Sequence, residues 1–229
     1  MAAARSGAGE MDGATLQSRI YAGYARAAAH VGTAHALYRP TALAPALIGA
    51  GNQIGTLAAS FNIAGAYNGQ TKPDQIIWQA VIDGTQVQVG DYLVGENTFC
   101  IVGMQPLMPI LAMRCTDTMA ISRMGAAVSG ADGASYGLNV IAAAVPCYIQ
   151  LKRDKGFSAP AGFQGGATNT SAPLPEWNVY ACLGGVTGPG TIQEGDIVTF
   201  SNGDQMRVDA ASSSTIMWQL ACTPYKPHA

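Results

Sequence analysis

Residues 84–115 read GTQVQVGDYLVGENTFCIVGMQPLMPILAMRC, and residues 190–222 read GTIQEGDIVTFSNGDQMRVDAASSSTIMWQLAC. In each, Gly-Thr leads through a Gln-containing link to Gly-Asp and an apolar strand. A turn, a second strand, a break and a last strand ending in Cys follow. A Trp-bearing strand precedes each stretch, IIWQAVIDG around Trp78 and EWNVYACLGG around Trp177. Short apolar runs divided by Gly, Asn, Asp and Pro are the pattern of strands joined by turns. The echo predicts two related β modules, and so a mainly β chain built from two small sandwiches or barrels.

Working outward, residues 76–124 form the predicted first module. Strands are expected over 76–82, 91–94, 98–102, 110–115 and 118–123, with Gly95-Glu96-Asn97 as a hairpin loop. Asp83-Gly84 and Asn202-Gly203 are favoured tight-turn pairs. Residues 125–139 are almost all Gly, Ala, Ser and Asp and read as a linker. The second module spans 140–229, with Pro146 interrupting a strand pair over 140–151. Asp91 and Asp196 each follow Gly at the matched point of their module. Both are predicted to hydrogen-bond turn backbone. Replacing either by Ala is expected to cost about 1 kcal/mol, as for a lost cap, and replacing either by Asn to cost little.

Ahead of the modules, residues 1–11 read as a disordered leader and 12–37 as a helical segment, with the helix proper over 12–31. Asp12 suits an N-cap and Gly32 the C-terminal end. Leu16, Ile20, Tyr24 and Val31 recur at helical spacing as one apolar stripe, with Arg26 on another face. Residues 38–75 are rich in Pro and Gly and read as an extended arm. Leu16, Ile20, Tyr24, Arg26, Tyr38 and Arg39 are the candidate interface residues, because Tyr and Arg are typical interface anchors.

The chain has 229 residues, of which 48% are hydrophobic and only 11% charged. Soluble domains usually carry about 25% charged residues. The missing charge fits a surface covered by other subunits, or one made of Ser, Thr, Gln and Asn. The formal charge of −2 gives no electrostatic basis for general nucleic-acid or membrane binding. No stretch approaches the roughly 18 apolar residues of a transmembrane helix. The five cysteines have no zinc-ligand spacing. They are expected to be small buried hydrophobes, with pairing between subunits as the alternative.

Catalysis finds little support. Residues 133–137, GASYG, match the G-x-S-x-G elbow, but that motif needs a strand before it and a helix after it. The only histidines are His30, His35 and His228. The carboxylates beside Gly sit where turns normally place Asp. No catalytic residue, cofactor or metal is expected.

The order LQSRIYAGYARAA, YRP, IIWQAVIDG, VQVGDYLVG, FCIVGMQPLMPILAMRC, LPEWNVYA, EGDIVTFSNGDQMRV and IMWQLAC resembles virion structural proteins of contractile-tailed bacteriophages. The G-D-x-V…G…R-x-V pattern is also similar to small β-barrel head-to-tail joining and stopper proteins. The resemblance is loosest over residues 158–177. It implies a non-enzymatic ring component of the neck or collar, located in the virion. Its partners would be itself, in a ring, and neighbouring neck, portal and tail proteins, with DNA at most passing through the lumen. A baseplate or tail-hub protein and a host-surface binding module are the alternatives.

Overall fold

The computed structural model describes residues 12–41, 47–63, 76–130, 133–152, 176–183, 192–214 and 217–225. The expected leader, 1–11, lies outside them. The chain is mainly β, with an N-terminal helix and two closed six-stranded antiparallel barrels.

Helix α1, Gly13–Val31, starts at Asp12, whose carboxylate accepts the Thr15 N–H at 2.7 Å. This satisfies one of the orphan donors of a first helical turn. At the other end the Gly32 N–H closes on Ala28 O at 2.8 Å. Gly32 is extended, at φ −84° and ψ 161°, so the chain turns at once into strand β1, Thr33–Tyr38. The expected helical segment 12–37 therefore ends six residues early. The seating of α1 also differs from the predicted stripe. Ala28 is buried and Tyr21 packs on the barrel core, while Leu16 is 39% and Val31 69% exposed. The helix lies against the strands next described, β2 Gln53–Ile63 and β3 Ile77–Ile82.

The first barrel is completed by β4 Tyr92–Val94, β5 Thr98–Gly103 and β6 Ile110–Cys115. It closes in the order β1-β2-β3-β6-β5-β4. Inward residues alternate along each strand, as barrels require: Leu37, Leu57, Ala59, Ala80, Ile82, Leu93, Ile101, Ile110 and Ala112 fill the interior. The module thus begins at Thr33, not at residue 76. Part of the expected arm, Gln53–Ile63, is a barrel strand, and residues 39–52 group with the second compact unit. Gly and Pro density marked the arm's breaks but hid the Leu57–Ala59–Phe61 alternation between them.

The second barrel uses β7 Asp117–Gly130, β8 Gly133–Leu151, β9 Trp177–Cys182, β10 Ile197–Phe200, β11 Gln205–Ser213 and β12 Met217–Pro224. Its closed order, β7-β8-β9-β12-β11-β10, is that of the first barrel with every number raised by six. The registers match too. Leu37 faces Leu93 as Ile121 faces Val198, and Leu93 faces Phe99 as Val198 faces Met206. Ala80 faces Ile110 as Val179 faces Leu220. The chain is a tandem repeat of one Greek-key barrel. The matched registers also re-align the echo: Trp78 pairs with Ala112 where Trp177 pairs with Cys222. The terminal cysteines of the two stretches, Cys115 and Cys222, are therefore not equivalent.

Residues 125–139 are not a linker. Strands β7 and β8 stay paired from Met124↔Leu138 to Gly130↔Gly133. Past Arg123 neither strand has another neighbour among the described residues, so the hairpin runs on as a two-stranded ribbon. Small residues disguised it, since composition does not reveal pairing. Residues 140–151 belong to one strand, not two. Pro146 sits beside a bulge where Ala144 has φ 52°, a place sheets tolerate proline.

Candidate functional site

The two Gly-Asp turns are built alike. Gly90 and Gly195 hold φ of 93° and 88°, the left-handed region where only glycine is unstrained. Gly90 N–H reaches Ile101 O and Gly195 N–H reaches Val208 O, both at 2.8 Å. Asp91 Oδ2 accepts the Gln88 N–H and Asp196 Oδ2 the Gln193 N–H, both at 2.8 Å. The backbone role expected of both aspartates is present. Asp196 carries more: Arg123 Nε and Nη2 clasp its two oxygens at 2.7 and 2.9 Å. This pair holds the Arg123 pKa above its ordinary value through the hydrogen bond first. By register Arg39, the residue after Tyr38, is the first-repeat counterpart of Arg123.

Asp83 and Gly84 form a turn, with Thr85 N–H on Asp83 Oδ1 at 3.0 Å. They do not close a hairpin, because β3 pairs with β2 and β6. Burial pushes the Asp83 carboxyl up, but hydrogen bonds from Thr85 and Gln86 outweigh it and hold the pKa below the ordinary range. Gly84 is glycine for room: a Cβ there would fall 2.5 Å from the Tyr21 ring. Asn202 and Gly203 form the β10–β11 turn, with Gly203 at φ 87° and the Asp204 N–H on Asn202 Oδ1 at 2.9 Å.

The candidate interface residues divide. Leu16 and Arg26 are exposed on α1; Ile20, Tyr24, Tyr38 and Arg39 are half-buried. The GASYG stretch is extended, Ser135 pairing with Val128 across the ribbon, so the strand–turn–helix frame of an elbow is not there. Among the described residues no group of three His, Cys, Asp or Glu could hold a metal ion, and no helix is long and apolar enough to cross a membrane. All five cysteines are buried. Burial pushes the Cys222 thiol up to about 12 and raises Cys115 and Cys147 as well. Protonated and enclosed thiols are poor nucleophiles. The native chain at pH 8 is therefore expected to leave iodoacetamide unreacted at these sites, with all five alkylated after unfolding in urea. Fast labelling of the folded protein would contradict this burial.

A cavity of about 240 Å³ opens at one end of the first barrel. Its wall comes from the matching ends of five strands. His35 lies on β1, Phe61 on β2, Trp78 on β3, Phe99 on β5 and Arg114 on β6, and Glu96 and Asn97 lie on the β4–β5 loop. Phe61 stacks on Phe99 at 3.7 Å between centroids, with His35 and Trp78 meeting this pair edge-on. The Arg114 guanidinium stands 5.8 Å over Trp78 and donates to Asn97 Oδ1 at 2.9 Å. Sequence reasoning passed over this group, because its members are spread from residue 35 to residue 114 and only barrel closure gathers them. Barrel mouths are common ligand sites.

The fold and this mouth define a tandem double barrel with a polar-aromatic cavity at the end of the first barrel. Compared with known protein families, curated proteins and solved structures, the chain matches none.

Proposed function

We propose that this chain is a non-enzymatic structural protein of a bacteriophage virion, a ring component of the head-to-tail connector at the neck or collar. The observation that carries the reading is apolar surface left open on a chain with little charge. Leu16 and Val31 are exposed on α1, Leu107 and Met108 on the β5–β6 loop, and Met124, Leu138 and Val140 on the β7–β8 hairpin. The ribbon adds unpaired strand edges, which natural monomers normally cover or charge. Both features suit burial against further copies. Identical subunits joined head-to-tail form closed rings when the rotation closes. The resemblance to phage virion proteins supplies the place: its partners are itself and the neighbouring neck, portal and tail proteins, with DNA at most passing through the lumen. A host-surface binding module is the second reading, favoured by the aromatic mouth of the first barrel.

The test is cross-linking of assembled particles through a cysteine at Leu16. The native thiols are buried, so Leu16→Cys offers the accessible one. Inter-subunit products are expected; intrachain products alone, from a chain monomeric in the particle, would overturn the ring.

A further inference from the structure

The second barrel acts as an internal control for the mouth of the first. Matched registers place Met119 where the first barrel has His35, Ile149 for Phe61, Met206 for Phe99 and Pro224 for Arg114; only the tryptophan, Trp177 for Trp78, is kept. The same closed fold thus carries ordinary apolar side chains at that end. The barrel has no structural need of a histidine, two stacked phenylalanines and an arginine there.

Two groups in the mouth have unused capacity. His35 is 4% exposed and its Nδ1 lies 2.9 Å from Thr33 O. A carbonyl only accepts, so Nδ1 carries the proton and Nε2 of the neutral ring is an acceptor. Among the described residues nothing donates to it, and it keeps access to solvent at the cavity, so a ligand hydroxyl there meets a ready acceptor. Arg114 touches Trp78 and Asn97, and among the described residues no carboxylate lies within ion-pair distance. Its fork is the group that recognises carboxylates.

We infer that the mouth of the first barrel binds a single acidic sugar ring, its carboxylate on Arg114, a hydroxyl donating to His35 Nε2, and its apolar face on Trp78. At about 240 Å³ the cavity is below the roughly 300 Å³ of drug-sized pockets, which suits one ring. Thr33, Ser60, Glu96 and Asn97 line the same space and match the remaining hydroxyls. A peptide end with an apolar side chain would leave those groups without partners, which disfavours it.

The experiment is an NMR titration of the full chain, following the Trp78 indole N–H, assigned through Trp78→Phe. The probes are methyl glucuronide, the neutral methyl glucoside and N-acetylphenylalanine. Methyl glucuronide is expected to shift the Trp78 signal at millimolar concentration, with the glucoside about tenfold weaker, ~1.4 kcal/mol. Arg114→Gln should bring the glucuronide down to the glucoside's level with the thermal midpoint unchanged. The wild-type ranking needs no variant, so the inference stays testable if that variant fails to fold. No shift at tens of millimolar, equal binding of both glycosides, or tighter binding of N-acetylphenylalanine would each overturn it. None of these outcomes bears on ring formation.

Discussion

Replacing Asp196 by Ala is expected to destabilise the second barrel by about 3 kcal/mol, well beyond the loss of a turn cap. Removing one partner of a buried ion pair costs about 3–5 kcal/mol, because the other charge is left uncompensated. Asp196 is 1% exposed and Arg123 32%, so solvent relieves part of the penalty and the low end applies. Asn keeps an acceptor for the Gln193 N–H but presents an amide nitrogen and no charge to the guanidinium. Asp196→Asn is therefore expected to cost about 2 kcal/mol of the same total, where the sequence alone predicted almost nothing. Urea unfolding followed by tryptophan fluorescence measures both. If the Asn variant matched the parent while Ala lost about 1 kcal/mol, the value of a lost cap, the aspartate would be a cap only.

Gly32→Ala is expected to cost about 3 kcal/mol, the upper end for overpacking. A Cβ there would lie 2.5 Å from Ala28 O and 2.9 Å from the backbone of Ala59. Both obstacles are main chain, so no side chain can swing away, and α1 or β1 must move. The loss should appear as a lower thermal midpoint with weakened helix signal. Gly23→Ala is the control. It lies on the same helix with open space around its Cβ, and alanine there should stabilise by up to about 1 kcal/mol. A Gly32→Ala chain as stable as the parent would mean that the helix is not held at this junction.

Much of the fold was legible because the repeat writes the same turn twice. Gly90-Asp91 and Gly195-Asp196 need glycine for its φ and aspartate for its acceptor, and such requirements survive in sequence. In the first repeat the strands after the turn followed from apolar runs between turn residues, and they fell within a residue or two of 92–94, 98–103 and 110–115. Strand β1 was lost because Ala34, Ala36 and Leu37 suit a helix as well as a strand, and only the close approach of Gly32 to Ala59 decides between them. The ribbon was lost because pairing between runs of Gly, Ala and Ser leaves no apolar period. Arg123 was missed as the partner of Asp196 because 73 residues separate them. The barrel mouth was missed for the same reason: no local pattern announces His35, Phe61, Trp78, Phe99 and Arg114 as neighbours.

The proposed closed ring in a virion is tested most directly by cryo-EM of particles that carry this chain. Density for α1 and for each barrel is expected to repeat around a closed ring at the neck, between portal and tail, with Leu16 and the β7–β8 ribbon buried against adjacent copies. Particles that lack the chain, that carry it as isolated copies, or that display it only at host-contacting tips would contradict it.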